Sequence, residues 1–122
     1  MSTYRHHLDL ANERFDLAEQ MFGDGKEHTA AHLYINAVIN YHNAACQKFL
    51  SKIPSHKGHA DASYFKNLSE FLGKDLHRYK DSYIFLVSHK GKADYGVGMS
   101  STVASQIRSH AQKIREIIEP IL

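Results

Sequence analysis

Apolar residues recur along this chain at steps of three and four, the spacing that places them on one side of a helix. In the first run, Leu8, Ala11, Phe15, Ala18 and Phe22 form a single stripe and predict a helix from Thr3 to Phe22. Gly23 reads as its stop, and Asp24 as the cap of the next helix, with Glu27 three residues on in capping-box position. The second helix, Lys26 to Ile53, is the longest. Ala30, Leu33, Ala37, Tyr41, Ala44 and Lys48 mark one side, and Tyr34, Val38, Ala45 and Phe49 widen the stripe. Its many alanines permit close approach of a neighbouring helix, and Pro54 ends it. A third helix is expected over Asp61 to Leu72, with Phe65, Leu68 and Leu72 inward and Gly73 as its stop. A fourth runs from Lys74 to Asp94 on Leu76, Tyr79, Tyr83, Leu86 and Lys90, weakened near its end by Gly91. The last starts near Ser101 and carries Val103, Ile107, His110, Ile114, Ile117 and Ile121.

Between these runs lie two loops, Ser55 to His59 and Gly96 to Ser100. No segment of any length alternates with period two, so no sheet is expected. The pattern therefore predicts an all-α fold, an up-and-down antiparallel bundle of about five helices. A length of 122 residues fits one domain, 1–122, able to bury a core without disulfide or metal staples.

Composition narrows the function classes. At 43% hydrophobic and 23% charged residues the chain is a folded globule rather than a disordered one. A formal charge of +2 neither demands nor excludes a nucleic-acid partner, but ten histidines would make the surface markedly more basic if they were protonated. The single cysteine, Cys46, excludes an intramolecular disulfide, and its alanine-rich helical setting reads as core. The N-terminus lacks the apolar run of a signal peptide, and no stretch approaches a membrane span, so a cytoplasmic location is expected.

Common catalytic constellations are absent: there is no glycine-rich phosphate loop, no GxSxG elbow and no CxxC pair. His28 and His32 stand one turn apart, as a two-histidine chelate would, and His6, His7, His56 and His59 offer further ligands. No HExxH or Glu-x-x-His pattern accompanies them, so they read as polar surface histidines and no metal or cofactor is expected. Asn36 and Asn40, also one turn apart with His42 and Asn43 nearby, form a polar strip reading a nucleotide or a partner backbone, or else a hydrogen-bonding network between helices or a plainly solvent-exposed face, and the latter pair is the favoured reading. Ser88 to Gly96 reads SHKGKADYG; there Lys90 and Asp94 sit four apart and can pair, and Asp94-Tyr95-Gly96 ends the helix. Arg108, Lys113 and Arg115 fall on differing faces near Glu116 and Glu119, which reads as a solvated surface rather than a nucleic-acid groove.

Three of these segments together resemble the HEPN superfamily (higher eukaryotes and prokaryotes nucleotide-binding). They are the long alanine- and aromatic-rich helix AAHLYINAVINYHNAACQKFL, the following SHKGHADASYF, and KGKADYG, which is similar to the family's R-x-x-A-D-Y ending of the penultimate helix. The resemblance spans Asp9 to Leu122. It implies a four- or five-helix bundle, usually a homodimer. Members are metal-independent RNases, partners of minimal nucleotidyltransferases in toxin–antitoxin pairs, or non-catalytic RNA- or protein-binding modules. The family's RNase motif is an arginine followed four to six residues later by a histidine. Here Lys90 stands in the arginine's place, and Tyr95, Gly96 and Val97 occupy the histidine's positions. Lysine keeps the charge but lacks the planar fork that grips phosphate, and tyrosine is a poor acid or base at neutral pH.

The resemblance and this departure together predict a HEPN-like binding module without the family's catalytic pair, taking RNA, a nucleotide or a partner nucleotidyltransferase. Lys90 would contact phosphate, Tyr95 stack or hydrogen-bond, and Asp94 position Lys90, with Asn40 and His110 as further candidates. One alternative is a divergent RNase using Lys90 with His89 or His110; another is a structural subunit of a toxin–antitoxin or scaffold complex.

Overall fold

A computed structural model of the chain describes residues 4–51, 62–95 and 99–122. The expected loop around Ser55 to His59, the helix ends at Thr3, Ile53 and Asp61, and Gly96 to Gly98 lie outside those residues, as do the side chains of 62–64, 66, 94 and 95. All regular structure among the described residues is helical: α1 (Tyr4–Gly23), α2 (Glu27–Leu50), α3 (Ala62–Leu72), α4 (Leu76–Ser88), α5 (Lys90–Tyr95) and α6 (Ser101–Ile118). Short 3-10 turns, Gly73–Asp75 and Glu119–Ile121, join α3 to α4 and follow α6. None of these helices is long and apolar enough to cross a membrane.

Helix α2 is the centre of the packing. Ala30, Ala31, Tyr34, Ile35, residues 37–42 and residues 44–46 are all buried, too many positions for one face. Its small residues let α1 lie closely alongside. The two run antiparallel: Glu19 meets Tyr34, Asn12 meets Tyr41, and Tyr4 lies under Lys48. Helix α6 is antiparallel to α1, since Glu19 meets Arg108 while Tyr4 reaches Leu122. It therefore runs the same way as α2, and Lys48 Nζ donates to both Ile121 O and Leu122 O at 3.0 Å. Strict up-and-down alternation through five helices would instead set α6 parallel to α1.

The α1 and α6 stripes are largely as the spacing implied. Ala11, Phe15 and Ala18 of α1 are buried, as are Ile107, Ile114 and Ile117 of α6. Phe65, Leu68 and Leu72 bring α3 into the same core, and Tyr79, Tyr83 and Leu86 bring α4. Burying each large apolar side chain of this kind stabilises the fold by roughly 1.5–3 kcal/mol before entropy is counted.

Three expected boundaries are corrected. Asp24 does not cap α2, whose N-cap is Lys26 with no side-chain hydrogen bond. The α1 exit takes those residues: Gly25 N–H donates to Phe22 O and Lys26 N–H to Met21 O, around Gly25 at φ +80°. That is a Schellman closure, which uses Asp24 as the C-cap of α1 and leaves it unavailable to α2. Helix α2 stops at Leu50, ahead of Pro54, with Ser51 in the left-handed region at φ 56°. The expected continuous helix from Lys74 to Asp94 is broken at His89.

Candidate functional site

The break at His89 has a local cause. The Phe85 carbonyl would ordinarily accept from the His89 N–H, but that group donates to Leu86 O at 3.1 Å instead. Two side chains take its place: Ser88 Oγ donates to Phe85 O at 2.7 Å and His89 Nδ1–H at 2.8 Å. Serine and histidine thus compete with the helical ladder and tighten the last turn of α4. A new helix then starts from the His89 carbonyl, which accepts from Ala93 N–H at 3.1 Å. Lys90 opens α5 at this corner, and Asp94 and Tyr95 close it. The far end of α5 is tied to α2, where His28 Nε2–H donates to Ala93 O at 2.9 Å. This bond occupies one ring nitrogen of His28.

Across the corner lies α6. The Phe85 ring packs against His89 at 4.4 Å between centroids and against His110 at 4.3 Å. His110 Nδ1 is hydrogen-bonded to Ser82 Oγ at 2.9 Å, and Ser82 is buried. Partial burial holds the His110 imidazole below its ordinary pKa, and the charges of Lys113 and His89 push the same way. His110 is therefore neutral at pH 7. His89 has its proton fixed on Nδ1 by the Phe85 carbonyl, which in the neutral ring makes Nε2 the basic atom.

The sequence-derived candidates thus separate. Lys90 and His110 share one corner of the molecule through His89 and Phe85. Asn40 does not join them. It is buried on α2 and accepts from Arg14 Nη1 at 2.6 Å, an inter-helix bond of the structural kind. Its place is twelve residues along α2 from His28, about 18 Å at the helical rise. Asn36 is likewise engaged locally, donating to His32 O at 2.8 Å. Asp94 and Tyr95 belong to α5, while the roles expected of their side chains fall outside the described residues. No group of three or more metal-ligating side chains occurs among the described residues.

Sequence reasoning missed Ser82 and Phe85. Phe85 lies one residue off the α4 stripe and Ser82 one residue before Tyr83, so neither breaks the pattern. Arg108 and Arg115, expected on a solvated face, stay part-exposed and are engaged by acidic partners. Arg108 binds the Glu19 carboxylate through two nitrogens, and Arg115 bonds Glu119 at 2.7 Å and lies over Phe15 at 4.6 Å. Lys113 adds positive charge beside His110, and Lys90 follows His89 in the chain.

Such a corner can bind an anionic oxygen by charge and by N–H donation, and can offer a flat ring surface. No protein-family model, curated protein or solved structure matches this chain.

Proposed function

We propose that this chain is a HEPN-like helical module that binds RNA or a nucleotide at the α4–α5 corner. The observation that carries this reading is the placing of the His89 and His110 rings on Phe85, next to Lys90. Basic groups interleaved with aromatic surface suit a phosphate-linked, base-bearing chain, since phosphates take the charge and bases stack. Lys90 supplies the phosphate contact and His110 a second donor. The same reading makes the protein a cytoplasmic homodimer, with a nucleotidyltransferase as a candidate protein partner. Light scattering at micromolar concentration tests the dimer, and a strictly monomeric mass refutes it.

The primary experiment is binding and cleavage of labelled single-stranded and transfer RNA, in EDTA, by wild type and by Lys90→Ala. Binding without cleavage, weakened in the variant, is the expected result. Absence of any RNA binding sinks the reading and points to a protein partner, sought by pull-down.

A second reading is a divergent metal-independent RNase. The observation in its favour is that His110 is held neutral at pH 7, as a general base must be. It requires cleavage lost on Lys90→Ala and a bell-shaped pH profile. A flat profile, or activity surviving loss of both His89 and His110, excludes it.

A further inference from the structure

The two imidazoles at the corner share an arrangement that a purely structural histidine does not need. His89 spends Nδ1 on the Phe85 carbonyl and His110 spends Nδ1 on Ser82. Among the described residues, no hydrogen bond reaches Nε2 of either ring, and neither Nε2 is sealed from solvent. Both rings therefore keep their outer nitrogen available for a ligand.

Among the described residues, the charges acting on His110 are of one sign. Helix α4 contributes Phe85 and the Ser82 hydroxyl to the neighbourhood of His110, and its C-cap contributes His89. Helix α6 contributes Lys113, and Lys90 follows His89 at the start of α5. The charges acting on His110 are those of Lys113 and His89, both of the sign that opposes protonation. The nearest acidic residue in sequence on α4, Asp81, is exposed and is not among them. Among the described residues no carboxylate partners either imidazole, an arrangement that suits an anion from outside.

We propose that His89 and His110 form a proton-coupled site for a phosphate or phosphodiester group, which they bind as imidazoliums through their Nε2–H groups. This rests on the reading of the corner as a phosphate-binding site, and adds which groups bind and what regulates them. An arriving phosphate reverses the sign of the local field, so protonation that Lys113 opposes in the free protein becomes favourable in the complex. By linkage, each proton taken up on binding makes affinity rise by up to about tenfold per pH unit through the titration range. His110→Gln and His89→Gln keep hydrogen-bonding capacity but cannot charge.

The test is the affinity of rhodamine-labelled single-stranded oligouridylate at fixed ionic strength, at about pH 7.5 and about pH 5.5, where histidine changes charge. Wild type should bind at least about tenfold tighter at the lower pH, and the double variant His89→Gln/His110→Gln should lose most of that gain. Equal wild-type affinity at both values overturns the coupling and leaves the RNA reading standing. A gain that persists in the double variant also overturns it, because the protons then bind elsewhere. Failure to bind at either pH removes both readings together. If the double variant does not fold, the histidine proton resonances of the wild type decide, followed through pH with and without inorganic pyrophosphate. Two ring titrations moving to higher pH with pyrophosphate support the site, and unmoved midpoints overturn it.

Discussion

Arg108 grips Glu19 across the α1–α6 seam through two nitrogens, Nε to Oε1 at 3.2 Å and Nη2 to Oε2 at 3.0 Å. The same carboxylate accepts from Tyr34 Oη at 2.6 Å and Gln112 Nε2 at 3.3 Å, so one residue of α1 ties together α2 and α6. Arg108 holds the Glu19 carboxyl below the usual carboxylate range, against the opposing effect of its partial burial. About a third of each side chain remains exposed, so solvent screens the pair. Glu19→Ala, which takes the acceptor from four donor groups of three residues, should cost about 1–2 kcal/mol. At this size that is a fall of roughly 4–8 °C in the melting temperature by calorimetry. A wild-type melting temperature would show the network to be idle.

Two tyrosines of α4 should respond in opposite ways to loss of their hydroxyls. Tyr79 Oη is bonded to His42 Nδ1 at 2.6 Å in a fully buried setting. Tyr79→Phe removes that buried bond and should destabilise by about 1–3 kcal/mol. Tyr83 is equally buried, yet its Oη has no hydrogen-bond partner among the described residues. Tyr83→Phe removes a desolvated group that gains nothing, so it should be neutral or stabilise by up to about 1 kcal/mol. Urea midpoints for the two variants check this, and equal losses would contradict the assignment.

Stability should fall on mild acidification in the absence of ligand. His7 is held below its ordinary pKa by burial and by His6, and His110 by burial, Lys113 and His89. Above about pH 6.5 both are neutral in the folded and the unfolded chain. Below it the unfolded chain takes up protons that the folded chain resists, so stability is lost from there down to the lowered folded values. Glu19 adds a second loss at lower pH, as its depressed carboxyl becomes protonated. Urea denaturation at several pH values measures both steps. A midpoint constant from neutral pH to about pH 5.5 would refute the first.

Cys46 should be inert until the protein opens. It is fully buried on α2, and burial pushes its thiol up to about 12. Both the reagent's access and the thiolate fraction are therefore suppressed. Alkylation by iodoacetamide at neutral pH should proceed at the rate of unfolding, and accelerate sharply in denaturant. Rapid labelling of the native protein would mean that the α2 core opens locally.

The sequence by itself determined the helices and most of the residues they bury. Periodicity is a local property, and the stripes through Phe15, Phe65, Tyr79 and Ile114 carry it without reference to partners. It also identified Cys46 as a core residue, since a small thiol in an alanine-rich helical stretch packs as an apolar side chain. Helix ends were less legible. Asp24 carries the same cap signal whether it ends α1 or begins α2, and only the turn around Gly25 decides between them. The break at His89 was hidden because the Lys90 position extends the stripe, while the Ser88 and His89 side chains cap a carbonyl three and four residues back.

The candidate site was the least visible part, because it joins residues more than twenty positions apart. Ser82, Phe85 and His89 meet His110 only when α4 and α6 pack side by side. The direction of α6, parallel to α2, likewise follows from which stripes find each other. Helical spacing fixes the face each residue occupies, whereas long-range packing selects the facing residue, and with it the field around each imidazole.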